Sequence, residues 1–97
     1  MKITKQKPFM KNRQILGALA LDLKRVALGY FRNSDKVAER FYNEALKRRK
    51  ELGDKELKPY LVKFLNKLDN LNKKKKEKAA EDALLYSTIF QNAAVSR

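Results

Sequence analysis

The chain contains neither cysteine nor histidine. Absence of cysteine excludes disulfides, thiolate nucleophiles and thiolate metal sites. Absence of histidine removes the side chain that titrates near neutral pH, together with the metal sites and nucleophilic dyads built on it. Only 3 glycines and 2 prolines are present. Gly17, Gly29 and Gly53 are far apart, so no glycine-rich phosphate loop exists. No apolar run approaches the roughly 20 residues that cross a bilayer.

Acidic residues are also few, 11 against 24 lysines and arginines. Asp22, Glu39, Glu44, Glu81 and Asp82 lie nearest apolar positions and are the remaining candidates for acid–base or metal chemistry. Glu39 and Glu44 do not share a helix face, whereas Glu77 and Glu81, four residues apart, do. A di-iron type bundle needs a Glu-x-x-His element, which this chain cannot supply. Asp22, inside an apolar stretch, reads as one half of an ion pair with Arg25 or with a base on another helix. The expectation is a protein that is not an enzyme, with no catalytic residues, no metal, no cofactor and no small-molecule substrate.

What is present favours helix. The 97 residues are 43% hydrophobic, enough for one domain with its own core, and Ala, Leu, Lys, Arg and Glu dominate. Residues 1–11 are basic, contain Pro8 and lack periodicity, so they read as a flexible arm before a single helical domain over 12–97. The basic stretch Lys2, Lys5, Lys7, Lys11 and Arg13, followed by apolar residues 15–21, superficially matches a secretion signal. The apolar run is short, however, Asp22, Lys24 and Arg25 follow at once, and the small-residue triplet 18–20 lies inside it. A cytoplasmic location is expected.

Four amphipathic segments follow. Asn12 is placed to cap a first helix over 12–32, in which Leu16, Leu19, Leu23, Val26 and Tyr30 share a face. A turn at 33–35 starts a second helix over 35–52, with Ala38, Phe41 and Ala45 inward and Gly53 as its stop. A third helix starts near Leu57 or Lys58, with Pro59 in its first turn and Leu57, Leu61, Phe64, Leu68 and Leu71 at four–three spacing. The fourth covers about 75–94 through Ala79, Ala83, Tyr86, Phe90 and Ala93. The pattern predicts an all-α, up-down-up-down four-helix bundle. The alternative fuses helices three and four into one long helix, which would need an oligomer to bury both halves.

The net charge of +13 is the strongest compositional signal and points to a polyanionic partner. The basic residues form three groups: the arm with Lys7, Lys11 and Arg13; Lys47, Arg48, Arg49 and Lys50; and Lys73, Lys74, Lys75 and Lys76. The bundle topology puts the first two at one end and the third at the other, with Lys24, Arg25, Arg32 and Lys36 nearer that second end. Four consecutive residues point all round a helix, so 47–50 cannot all meet one phosphate track. Most aromatics sit at core spacings; Tyr42 and Tyr60, beside basic residues, are the candidates for stacking. Residues 83–96 carry no charge at all, which predicts an interface around Leu85, Thr88, Ile89 and Asn92. The expected function is nucleic-acid binding, RNA ahead of DNA, mainly through phosphates and as a homo-oligomer. The alternative is an oligomeric adaptor that uses the uncharged fourth helix, and attachment to a membrane ranks last.

Overall fold

The computed structural model describes residues 8–53 and 57–95, with side chains from Asn12 onward. Among them every regular element is helical: α1 (Pro8–Phe31), α2 (Asp35–Glu51), α3 (Pro59–Asn66), a 3-10 helix (Lys67–Lys73) and α4 (Lys76–Val95).

The first helix begins at Pro8, four residues before Asn12; a proline at the first helical position gives up an N–H that would have no partner there. The rest of the arm, 1–7, lies outside the described residues. Asn12 is therefore not a cap. It is buried one turn inside α1, and its amide donates to the Gly53 carbonyl and accepts from the Gly53 N–H, both at 3.2 Å. Gly53 in turn is not a left-handed stop: α2 ends in extended backbone at Leu52, and no glycine has positive φ. Two residues that read separately as helix-end signals satisfy each other across two helices.

Between α1 and α2 the chain reverses in a Schellman motif. Asn33 takes the left-handed conformation at φ 58°, its N–H bonds the Tyr30 carbonyl, and the Ser34 N–H bonds the Gly29 carbonyl at 2.7 Å. Asparagine tolerates that region better than most residues.

Leu19, Leu23 and Val26 are fully buried on α1, which both α2 and α4 pack against. Gly29 meets Ala38, Asp22 meets Arg48, and Asn12 meets Gly53. That order runs opposite ways along the two helices, so α2 lies antiparallel to α1. On the other side the Ser87 hydroxyl donates to the Ala20 carbonyl at 2.8 Å, and Gly17 faces Ala94, so α4 also runs antiparallel to α1.

The return path between α2 and α4 is α3 continued by the 3-10 helix, rather than one α-helix over the whole segment. Asp69, Asn70 and Asn72 are weak helix formers. Residues three apart eclipse in a 3-10 helix, so the tighter winding aligns Leu68 and Leu71, which follow Leu65 of α3 into the core. Its longer rise lets 15 residues cover about 26 Å, close to the length of α2. Tyr42 of α2 is buried and its hydroxyl donates to the Leu68 carbonyl, which ties the 3-10 helix to the core. Phe64 and Tyr86 stack at a tilt, 5.7 Å between ring centres. Lys74 is extended (φ −90°, ψ 163°), so helices three and four are not fused. The reversal there lets Leu71 and Ala83 enter the same core.

Two glycines on α1 differ in what they face. A Cβ on Gly29 would stand 2.7 Å from the Ala38 backbone nitrogen, whereas one on Gly17 would meet the Ala94 Cβ at an ordinary 3.8 Å. Gly29→Ala is expected to destabilise the chain by about 1–3 kcal/mol through forced separation of α1 and α2. Gly17→Ala should stabilise it by about 0.5–1 kcal/mol through helix propensity. Equilibrium urea unfolding of the two variants checks the opposite signs.

Candidate functional site

The second helix is only 17 residues long, yet its exposed side carries a row of cations. Lys36, Arg40, Lys47 and Lys50 are all exposed and, at 100° per residue, fall within an arc of about 80°. The row extends about 21 Å along the helix. Lys36 and Lys50 have no partner among the described residues. Lys47 makes one exposed pair with Glu44 at 3.6 Å, and the Arg40 guanidinium lies over the Phe41 ring at 5.5 Å. Arg25 of α1 covers the same ring at 5.1 Å. Arg32, just past α1, is exposed and unpaired among the described residues.

The expected cluster at 47–50 is divided by the helix turn. Lys47 and Lys50 face solvent, while Arg48 turns inward, its Nε 3.3 Å from Asp22. Arg49 donates to the Asn66 side chain at 3.2 Å. Arg13 is exposed, and the Asn12–Gly53 contact sets it at the same end of the molecule as Lys50. Lys7 and the Lys11 side chain lie outside the described residues.

The lysine run sits at the opposite end and is likewise split. Lys74 pairs with the buried Asp82, which Lys78 also reaches at 3.2 Å. Lys76 bonds Asp35 across to α2 at 3.1 Å. Lys73 and Lys75 remain exposed without a partner among the described residues. Tertiary ion pairs thus account for half of a run that opposes the α4 dipole. The cations that sequence reading passed over as site residues are Arg25, Arg32, Lys36 and Arg40. For Lys36 and Arg40 the signal was their helical spacing with Lys47 and Lys50; for Arg25 and Arg32, seven residues apart, it was the shared helix face.

The two buried aspartates behave oppositely. Burial raises the Asp22 carboxyl above the ordinary carboxylate range despite Arg48 and Arg25 nearby. Burial also pushes Asp82 upward, but its hydrogen bonds to Lys74 and Lys78 and their charges outweigh that and hold it below the range. The same contact raises Lys74. Burial likewise raises Tyr42, which is thus a core residue rather than a stacking surface, whereas Tyr60 is exposed. Among the described residues no group of three or more acidic side chains is assembled to hold a metal ion, and no helix is long and apolar enough to cross a membrane.

The fourth helix is not wrapped on all sides. Leu85, Thr88 and Asn92 are exposed, together with Leu84, Gln91 and Val95, while Ile89 is half-buried against the core. The Thr88 hydroxyl bonds back to the Leu84 carbonyl at 3.2 Å. A shallow groove of about 280 Å³ runs between this face and α1, where Leu21 is exposed and Lys24 is the one charged lining residue.

A raised acid is more readily protonated when folded, so the Asp22 contribution falls as pH rises from the ordinary carboxylate range through its native value. A lowered acid stabilises above that range, and its contribution is lost as pH falls through the native value. Asp22→Asn is therefore expected to be at least as stable as the unaltered chain at pH 7. Asp82→Asn should lose about 1 kcal/mol there, the gap closing on acidification. Urea unfolding at pH 7 and pH 3 distinguishes the two. No protein-family model, curated protein or solved structure matches this chain.

Proposed function

We propose that the chain is a non-catalytic, cytoplasmic protein that binds nucleic acid mainly through phosphates, using the cationic face of α1 and α2 in an up-down-up-down bundle. The observation that carries this reading is the row Lys36, Arg40, Lys47 and Lys50, of which only Lys47 has a carboxylate partner among the described residues. Cations held in a row with one carboxylate partner among them face self-repulsion, and a polyanion relieves it. A row of about 21 Å matches roughly six base-pair steps along a duplex axis at 3.4 Å each. Each phosphate neutralised releases condensed counterions, so affinity falls with salt. RNA ranks ahead of DNA because its loops and ends offer unpaired segments.

Anisotropy titrations of labelled single- and double-stranded RNA and DNA across a salt series test this, with the salt slope read on duplex DNA. The unaltered chain should bind at low salt. The triple substitution Lys36→Gln, Arg40→Gln, Lys50→Gln should weaken binding and make the log–log salt dependence shallower by about 2.7. Lys58→Gln with Lys63→Gln, exposed positions just before and within α3, should change it less. Absence of binding at low salt refutes the reading.

A second reading, self-association or adaptor docking through α4, is favoured by its charge-poor exposed face. Depletion of charge marks interface cores, and two copies of a +13 chain repel least where neither presents a cation. On this reading the mass in solution by light scattering should exceed that of one chain, and Thr88→Glu or Asn92→Glu should return it to the monomer.

A further inference from the structure

A groove of about 340 Å³ lies between α1 and α2, on the flank of α2 next to the cationic row. Its lining includes Arg25, Leu28, Arg32, Val37 and Phe41, and no carboxylate. Leu28 is 39% and Val37 42% exposed, so two apolar walls are left in water beside two guanidiniums. Gly29 contributes no side chain to the floor. The Arg25 guanidinium lies over the Phe41 ring, and both residues line the groove; Arg40, outside the lining, approaches the same ring. Arg25 and Arg32 are separated by about 10 Å along α1, so cations flank the apolar part on either side. The groove between α1 and α4 differs: hydroxyl and amide side chains and a single lysine line it.

Apolar walls between separated cations suit a ligand that carries a flat apolar face and negative charge on both sides of it. A nucleotide within a strand has that form. We propose that this groove takes one unpaired nucleobase, with the neighbouring phosphates on Arg25 and Arg32, and that the chain therefore prefers single strands to duplexes. The proposal rests on the nucleic-acid reading and names its substrate class. Bases in a duplex have both faces covered by their neighbours and cannot enter. Stacking against aromatic and guanidinium planes is tolerant of sequence, because every base has a π face. Phosphate contact alone gives the opposite order, since the duplex has the higher charge density.

The 97-residue chain is titrated, at one fixed low salt concentration, with a labelled single-stranded oligonucleotide and with its duplex. The single strand carries a central 2-aminopurine in a parallel series. The expected result is about tenfold tighter binding of the single strand, with a change in 2-aminopurine fluorescence on binding. Leu28→Ala with Val37→Ala removes the walls at exposed positions and leaves the charge unaltered. It should erase the preference and the fluorescence change while duplex affinity stays the same. Equal or tighter binding of the duplex by the unaltered chain overturns the groove proposal and leaves the phosphate reading standing. So does a single-strand preference that survives the double substitution. Failure of both nucleic acids to bind removes both proposals, and binding only to phosphatidylglycerol vesicles, lost in the same variant, reassigns the groove to lipid.

Discussion

The close crossing of α1 and α2 depends on Gly29, which presents no side chain where the backbone of Ala38 passes. The Schellman turn begins at that same residue, through the bond from Ser34 to the Gly29 carbonyl. Turn geometry and helix approach are therefore set together. With α2 held close, Ala38 and Ala45 are buried without large side chains, and Tyr42 can reach the 3-10 helix. The groove proposed to take a base is the outer edge of this same crossing, which links its shape to the packing beneath it.

Charge imposes a second constraint. Eleven acids face 24 bases, so most cations cannot be paired within the chain. Three of the acids, Asp22, Asp35 and Asp82, pair with bases across turns or between helices. Asp22 meets Arg48 across α1 and α2, Asp82 gathers Lys74 and Lys78 at the start of α4, and Asp35 draws Lys76 toward α2. These pairs set which cations are engaged internally and which remain at the surface. The surplus is left as a row on α2 and as single residues elsewhere, and the function proposed above grows from that surplus.

The four apolar segments, their approximate limits and their inward faces were legible because helical spacing of large apolar residues has few other solutions. Leu19, Leu23, Ala38, Leu61, Ala83 and Phe90 are buried as their spacing predicts. Local signals were less dependable. Asn12 and Gly53 have the identities of a cap and a stop, yet their polar groups are used between helices. The end of the third helix winds as 3-10 because Leu68 and Leu71 must follow Leu65 into the core within a set length, a demand of the neighbouring helices. The surface cations were read as clusters in sequence, but helical winding scatters consecutive residues and gathers those three and four apart.

The all-helical class, the apolar faces, the excess of positive charge and the absence of histidine and cysteine chemistry are legible in the linear chain. Each follows from composition or from a local period, which neighbours along the chain suffice to express. Which cations lack a carboxylate among the described residues depends on folding, because Asp22 and Asp35 meet bases on other helices and Asp82 meets Lys74 only across the turn before α4. Tertiary structure also decided that an apolar groove opens beside Arg25 and Arg32, because the groove exists only between two helices whose separation Gly29 sets.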